Sequence, residues 1–278
     1  MDEQLQEKLK VLRALEEKDE CCVKLKNKTD LTVNVSSQGA SFPYHDYTPY
    51  CQELNRDQIL KELGVSDEHA QRNAIMNTSC DVSSSKDGVC VVTRTVLLSN
   101  SHAGTHCDQP AHFVKDPSVR WFDDIQYNGK CYIADLSNVK DDSTYIKQSE
   151  LKTAIDGLNA NLVNITRLLV RTNRTNWNKW EESFCHFDKD VASWLCNYLP
   201  NLALIAIDSP SVDNPNKAPI INYAHGQFWA HRVAIMENIT FERMKHSYNH
   251  GYLFTVWSQI QEHDDSRGCQ VFFFGEDS

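Results

Sequence analysis

The sequence predicts an α/β (α+β) protein with a mixed β-sheet and flanking helices. The chain has 278 residues, which is enough to bury a large core. Hydrophobic residues make up 41% and charged residues 24%, as in ordinary globular proteins. Strand-like and helix-like patterns alternate without an internal repeat or a low-complexity linker. We therefore expect a single domain over residues 30–278, preceded by a helical extension over residues 1–29.

Residues 1–20 predict an amphipathic helix. Leu5, Leu9, Leu12 and Leu15 fall near one stripe, with Glu and Lys side chains opposite. The stripe must pack either on the body of the protein or on a partner chain. Because a terminal helix ahead of a domain is often an arm, we favour a dimer contact.

The first half of the chain then alternates strands with polar segments. A short strand near residue 30 leads into a loop rich in Pro and aromatic residues that runs to residue 50, and residues 56–70 look helical. The β-branched, apolar run "VCVVTRTVLL" at 89–98 predicts a strand. A further strand is expected at 129–137, "GKCYIADLS".

The second half continues this alternation. Residues 148–158 predict a helix with Ser149 as its N-cap, and residues 188–199 predict another. Residues 165–173 predict a buried strand. Residues 202–213 predict a strand that leads into an acidic loop, and the segments 231–239 and 251–260 complete the pattern.

Composition argues against several classes of partner. The net charge is −10 with no basic stripe, which argues against nucleic-acid binding. No window approaches the roughly 18 apolar residues of a membrane span. The charged start lacks the apolar core of a signal peptide, so we expect a cytoplasmic protein. The ten cysteines are scattered without a CxxC pair, which predicts reduced thiols.

The stretch "SNSHAGTHCDQPAHFV", residues 99–114, follows directly after a predicted strand. It contains four candidate ligands, His102, His106, Asp108 and His112. All four have even residue numbers, so in an extended chain their side chains would face the same way. Imidazole and carboxylate groups suit Zn²⁺ or Mn²⁺. Gly104 and Pro110 argue against a regular strand or helix and predict a curled backbone.

Two other interpretations of this stretch are a polar loop with chance histidines and a nucleophile site at Cys107. Cys107 lies between His106 and Asp108, so on an extended chain it points away from both, whereas a nucleophile must reach its base. Four candidate ligands within eleven residues favour the metal site. A divalent ion with open positions typically activates water, and a nearby histidine can then move protons.

The segment "HAGTHCDQPAHF" matches every fixed position of H-x-G-T-H-x-D-x-P-x-H-F. That pattern resembles the signature of the metal-dependent cyclase family, which includes bacterial-type kynurenine formamidase (arylformamidase) and isatin hydrolase. "RLLVRTN", "LIAIDSPSVD" and "HGQFWAHRVAIMENI" are similar to further family segments, so the resemblance covers residues 30–260. It implies a swivelling β/β/α-like fold and a homodimer or higher homo-oligomer.

Position by position, the resemblance implies five metal ligands and one catalytic residue. The implied ligands are His102, His106, Asp108, His225 and Glu237. His112 matches the histidine that serves as general base and acid. Family members with Glu at the position of Glu237 can hold two zinc ions, so one or two Zn²⁺ are expected, with Mn²⁺ as the alternative.

The resemblance also implies the activity, a metal-dependent hydrolysis of an aryl formamide. The implied reaction converts N-formyl-L-kynurenine to L-kynurenine and formate, in tryptophan catabolism. Phe42, Tyr44 and Trp121 are candidates to stack on an aryl substrate. An isatin-type lactam hydrolase or another cyclase-family reaction stays open, as does a non-catalytic, metal-stabilised binding protein.

Overall fold

The structure is a computed structural model. It describes residues 3–18, 28–32, 81–85, 88–92, 102, 104–112, 122–139, 144–173, 184–213, 223–244, 247–257 and 265–276. The chain divides into two compact units, residues 1–35 with 101–278 and residues 36–100. The helices that the structure describes, the large sheet and the candidate site all belong to the first unit.

The described helices are α1 (Glu3–Lys18), α2 (Asp124–Tyr127), α3 (Gln148–Asp156), α4 (Lys189–Tyr198) and α5 (Tyr223–Ala230). The first strands are β1 (Lys28–Asp30), β2 (Asp81–Ser85), β3 (Gly88–Val92), β4 (His106–Asp108), β5 (Gly129–Asp135) and β6 (Tyr145–Ile146). The remaining strands are β7 (Arg167–Arg171), β8 (His186–Phe187), β9 (Leu204–Ile207), β10 (Ala234–Glu237), β11 (His250–Trp257) and β12 (Ser266–Gly275). Short 3₁₀ turns span Pro110–His112 and Leu162–Asn164.

Seven of the described strands close into a barrel-like sheet in the order β12-β11-β5-β7-β9-β10-β4, with β4 returning to β12. Strands β5, β7, β9 and β10 are mutually parallel, and β4 is antiparallel to β10. The long strand β12 closes the sheet because its beginning pairs with β4 and its later residues pair with β11. Strand β1 also pairs with the later residues of β12. The predicted mixed sheet with flanking helices is confirmed. In the second unit, β2 and β3 form an antiparallel hairpin.

The central parallel strands are buried on both faces. In β7, Leu168 and Val170 pack in one apolar cluster with Leu195 of α4. Leu169, between them, faces the other cluster, which contains Leu9 of α1. Burial on both faces explains the near-continuous apolar runs that marked these strands in the sequence. The first of these faces, which α3, α4 and α5 cover, also carries the candidate site.

The apolar stripe of α1 packs on the sheet of its own chain. Leu5, Leu9 and Leu12 are almost completely buried there, so the expected contact of this stripe with a partner chain is wrong. Burial of a leucine side chain stabilises the fold by about 1.5–3 kcal/mol, which makes the sheet the favourable partner. Lys8, on the same helix, donates from Nζ to the backbone oxygens of Leu202 and His231.

The expected strands at 129–137, 165–173 and 202–213 correspond to β5, β7 and β9. The expected helices at 1–20, 148–158 and 188–199 correspond to α1, α3 and α4. The N-cap at Ser149 is wrong, because α3 already begins at Gln148 and Lys147 takes the extended cap conformation. The backbone oxygen of Lys147 accepts the amides of Glu150 and Leu151, which fixes the start of the helix there.

Several predictions fall outside the described residues. They include the loop to residue 50, the helix at 56–70, the end of the strand at 89–98, and the side chains of Phe42, Tyr44 and Trp121. The domain boundary after residue 29 stays a prediction. Among the described helices, none has the length and apolar character needed to cross a membrane.

Candidate metal centre

The pairing of β4 with β10 brings the first candidate ligands together. His106 lies directly opposite Glu237 in this antiparallel pair, so both side chains project from the same face of the sheet. Asp108 shares that face because it lies two residues further along β4. The expectation of an irregular backbone is wrong for His106–Asp108, since this short strand fits between the bends at Gly104 and Pro110.

Gly104 shapes the turn between His102 and His106. Its φ of 70° is a left-handed conformation that glycine adopts without steric cost. The Gly104 oxygen accepts a hydrogen bond from Nδ1 of His106 at 3.0 Å. That bond leaves the lone pair of neutral His106 on Nε2, which faces the carboxylates. The Thr105 hydroxyl donates to the backbone oxygen of Asn238 at 2.5 Å, which ties this turn to the residue after Glu237.

Three possible metal-ligand atoms converge on one position. Nδ1 of His102 and Nε2 of His106 lie 3.1 Å apart, and they lie 3.3 and 3.4 Å from Oδ1 of Asp108. Oε2 of Glu237 lies 3.3 Å from Nε2 of His106. Ligand bonds of about 2.0–2.1 Å in a tetrahedral zinc site place neighbouring ligand atoms about 3.3 Å apart. The spacing of these donor atoms therefore fits a divalent ion.

His225 of α5 approaches from the other side of the same carboxylates. Its Nε2 lies 3.1 Å from Oδ2 of Asp108 and 3.5 Å from Oε1 of Glu237. Asp108 and Glu237 thus each direct one oxygen toward His106 and the other toward His225. With one oxygen on each side, the two carboxylates could contact a cation on the His106 side and another on the His225 side.

Among the residues that the structure describes, the buried carboxylates of the centre form no ion pair with a lysine or an arginine. Asp108 and His106 are fully buried, and Glu237 and His225 are 3% exposed. Within the described part of the chain, the ion-pair partners of Asp108 and Glu237 are all histidines. Oδ1 of Asp108 is buried and has no hydrogen-bond partner among the described residues. Since buried charges are normally paired or coordinate metals, these residues fit a divalent cation.

The charges of the centre shift the pKa values of its carboxylates and imidazoles. Burial raises the pKa of Asp108, but the surrounding imidazoles outweigh burial and hold that pKa well below its usual range. Burial lowers the pKa of His106, but the carboxylates of Asp108 and Glu237 outweigh burial and raise it to about 10. Protons and a divalent ion therefore compete for the same imidazole nitrogens.

His112 lies beside the centre, at the end of the 3₁₀ turn. Its backbone N–H donates to the oxygen of Gln109 at 2.9 Å, which sets the turn. Its ring lies 4.5 Å from that of His102 and 5.4 Å from that of His225, between centroids. Burial lowers the pKa of His112, which favours the neutral imidazole that can accept a proton. His102 and His112 are the half-buried members of the group, so the centre opens on their side.

The fold thus brings together all six residues predicted as metal ligands or as the general base. Three histidines lie around the two carboxylates, and His112 lies beside them. Two further carboxylates escaped the sequence analysis. Oδ2 of Asp213 lies 2.7 Å from Nδ1 of His225, and Oδ2 of Asp265 lies 3.4 Å from Nε2 of His102. Asp213 had a signal, because it is the last residue of the family-like segment "LIAIDSPSVD". Asp265 had none, because β12 was not predicted.

Cys107 faces away from the centre into the apolar core. Its Sγ lies 3.8 Å from Sγ of Cys269. Burial raises the pKa of the Cys107 thiol well above its usual range, which disfavours the thiolate. The nucleophile interpretation therefore gains no support. Five cysteines are free thiols and buried, namely Cys107, Cys131, Cys185, Cys196 and Cys269.

Comparison with known families decides the membership of this chain. The family model described as "Putative cyclase" matches residues 29–214, more than half of the chain. The chain belongs to the cyclase family. The matched range ends one residue after Asp213 and includes His102, His106, Asp108 and His112.

Named relatives and solved structures agree with membership of the cyclase family. A kynurenine formamidase of Bacillus mycoides is 32% identical over 168 residues, which cover 60% of this chain and 74% of the relative. A kynurenine formamidase of Bacillus cereus matches to the same extent. The structure of isatin hydrolase A from Ralstonia solanacearum superposes with a TM-score of 0.59 at 13% identity, covering 90% of this chain and 92% of that one. At that identity the superposition establishes the shared fold.

Proposed function

We propose that this cyclase-family chain is a metal-dependent hydrolase of aryl formamides, with N-formyl-L-kynurenine as its substrate. Hydrolysis breaks the bond between the formyl carbon and the aryl nitrogen and yields L-kynurenine and formate. The observation that carries the proposal is the convergence of two histidines and two carboxylates on one sheet face, joined there by His225. The names of the relatives that match this chain support a formamide rather than a lactam as substrate.

The residues of the centre suit one or two divalent ions. His102, His106 and Asp108 would hold the first ion, and His225 and Glu237 would hold a second together with Asp108. Nitrogen and oxygen donors without a thiolate suit Zn²⁺ and Mn²⁺, and the spacing of about 3.3 Å favours zinc. A bound divalent ion supplies a nucleophilic water at neutral pH and polarises the carbonyl oxygen.

The two carboxylates support a pair of ions rather than a single one. Two cations at about 3.5–4 Å repel each other strongly unless negative charge lies between them. Asp108 and Glu237 supply that charge, because each directs one oxygen to each side of the centre.

His112 is the proposed general base and acid. A neutral imidazole accepts the proton of the attacking water, and the imidazolium then returns that proton to the leaving aryl nitrogen. This transfer leaves the amine neutral, so the C–N bond can break without expelling an amide anion. The position of His112 on the open side of the centre suits this role, because the substrate must enter from there.

The remaining expectations rest on the sequence and on its resemblance to the family. Phe42 and Tyr44, which lie outside the described residues, are proposed to stack on the aryl ring. A homodimer and a cytoplasmic location are proposed likewise. Sedimentation of the purified chain at several concentrations tests the dimer, and cell fractionation tests the location.

The proposal is tested by metal analysis of the purified chain together with a panel of substrates. The panel contains N-formyl-L-kynurenine, a simple aryl formamide and isatin, each assayed with metal-loaded and chelator-treated protein. We expect bound zinc or manganese, and metal-dependent release of formate from the two formamides at a higher rate than the opening of isatin. Faster opening of isatin would reassign the protein as a lactam hydrolase. Loss of stability on chelation without hydrolysis of any substrate would favour the binding protein.

A further inference from the structure

The loop that follows β9 contacts both of the distal ligand candidates. The backbone N–H of Val212 donates to Oε1 of Glu237 at 2.7 Å. The next residue, Asp213, places Oδ2 at 2.7 Å from Nδ1 of His225. Two successive residues of one loop therefore contact two side chains that come from α5 and β10.

The Asp213 carboxylate is itself fixed by backbone donors. Its Oδ1 accepts the amide of Ala224 at 2.7 Å, and its Oδ2 accepts the amide of His225 at 3.1 Å. Both amides belong to the first turn of α5, whose N–H groups need acceptors outside the helix. Asp213 is 7% exposed, so its carboxylate has little freedom to turn toward solvent.

The hydrogen bonds of Asp213 decide which nitrogen of His225 can bind a cation. Both oxygens of the Asp213 carboxylate accept backbone amides, so the carboxylate also acts as an acceptor toward Nδ1 of His225. Nδ1 of neutral His225 must then carry the hydrogen, and the lone pair lies on Nε2, which faces Asp108 and Glu237.

We propose that Asp213 is a positioning residue of the metal centre, which holds His225 in the tautomer and orientation that direct Nε2 toward a cation. The inference rests on the proposed function in so far as His225 is a ligand there. Partners of this kind typically change metal affinity by about 10- to 100-fold when they are removed. A purely structural alternative is that Asp213 only satisfies the amides of α5.

The substitution Asp213→Asn separates the two roles. Asparagine keeps one oxygen that can accept an amide of α5, but its NH₂ group replaces an acceptor beside His225. A donor in that place favours the tautomer with hydrogen on Nε2, which removes the lone pair from the cation side. Asp188→Asn is the matched control, because Asp188 caps α4 by accepting the amide of Asp190 at 2.9 Å.

The test is a zinc titration of metal-stripped protein against a competing chelator, for wild type, D213N, D188N, H225A and the double variant D213N/H225A. We expect D213N to bind the ion that is lost in H225A about 10- to 100-fold more weakly than wild type, and D188N to match wild type. In the H225A background, D213N should cause no further loss, because its effect acts through the imidazole.

Equal zinc affinity of D213N and wild type would overturn the inference, as would an equal loss in the presence and absence of His225. If D213N does not fold, D213E is measured instead. Its extra methylene displaces the carboxylate from Nδ1, so unchanged affinity in D213E would overturn the inference as well. Absence of zinc binding in wild type would instead refute the proposed function, which distinguishes the two failures.

Discussion

The imidazole of His112 lies 4.5 Å from that of His102, between ring centroids, on the half-exposed side of a buried cluster of histidines and carboxylates. His102 directs Nδ1 toward Asp108 and His106. His112 is not part of this three-atom set, although one of its ring nitrogens lies within 4.8 Å of ligand atoms of Asp108 and His225. The two neighbouring histidines therefore have different proposed tasks, one as a ligand and the other as a carrier of protons.

Replacement of His112 by alanine should separate these tasks. We expect H112A to retain the metal content of wild type and to lose about 10²- to 10⁴-fold in kcat, the usual contribution of a general acid–base group. Metal analysis and formate release measure the two quantities. H250A is the control, since the described contacts of His250 are with Asn249, Glu276 and Tyr132. Turnover of H112A at the wild-type rate would show that the assigned role is wrong.

Replacement of Glu237 by glutamine should reduce the number of bound ions. Glutamine keeps an oxygen that can accept the Val212 amide, but it lacks the charge that separates two cations. We expect E237Q to bind the ion beside His102 and His106 and to lose the second ion. Zinc stoichiometry by elemental analysis measures this. An E237Q protein with the full wild-type complement would contradict the bridging role.

Zinc affinity should rise with pH through the neutral range. Burial lowers the pKa of His106 and of His225, but the surrounding carboxylates outweigh burial. They raise the folded-state pKa of His106 to about 10 and that of His225 well above its ordinary value. The metal-free centre therefore holds protons at neutral pH, and zinc must displace them. Titrations between pH 6 and 8, corrected for the chelator, should show tighter binding at higher pH together with proton release. An affinity independent of pH would contradict this competition.

Stability should depend on pH through Lys8 of α1. Burial is the main cause that lowers the folded-state pKa of Lys8 from 10.5 to about 8. Between these values the unfolded chain binds more protons than the folded one, so the Lys8 contribution to the free energy of unfolding rises with pH. The penalty on folding is fully present below pH 8, with a ceiling of about 3 kcal/mol.

The substitution K8M isolates this contribution. Urea unfolding of wild type and K8M at pH 8 and pH 10 gives the difference in the free energy of unfolding at each pH. We expect wild type to gain stability relative to K8M as the pH rises. A difference that does not change with pH would show that Lys8 stays protonated in the fold.

Asp265 should matter less than Asp213. Its carboxylate is about half exposed and lies 3.4 Å from Nε2 of His102, whereas Asp213 is buried and lies 2.7 Å from Nδ1 of His225. Solvent weakens the longer contact. In the zinc titration, D265N should therefore lose less affinity than D213N. A larger loss in D265N would reverse the order that the distances indicate.

The sequence predicted those parts of the fold that have strong local signals. Strands β7 and β9 follow from continuous apolar runs, and α1 follows from its leucine stripe. Helix α5 escaped because "YAHGQFWA" combines a glycine with aromatic residues of modest helix propensity and has no apolar stripe. The surface on which the α1 stripe packs could not be predicted, because local periodicity does not say what covers an apolar face.

The residues of the candidate site also divide into those that a local sequence pattern marks and those that only tertiary structure brings to the site. His102, His106, Asp108 and His112 stand close together in sequence, and the resemblance added His225 and Glu237. Asp213 contacts His225 only because α5 docks against the loop after β9. Asp265 reaches the centre only because the start of β12 pairs with β4. Both contacts depend on tertiary structure, which no local pattern reports.

The most direct test of the account is hydrolysis of N-formyl-L-kynurenine by metal-stripped protein before and after zinc or manganese is restored, with H106A treated in parallel. We predict that stripped wild type releases no formate, that added metal restores turnover, and that H106A stays inactive under both conditions. Equal turnover by stripped and reloaded wild type, or no hydrolysis of any aryl formamide by fully loaded protein, would contradict the account.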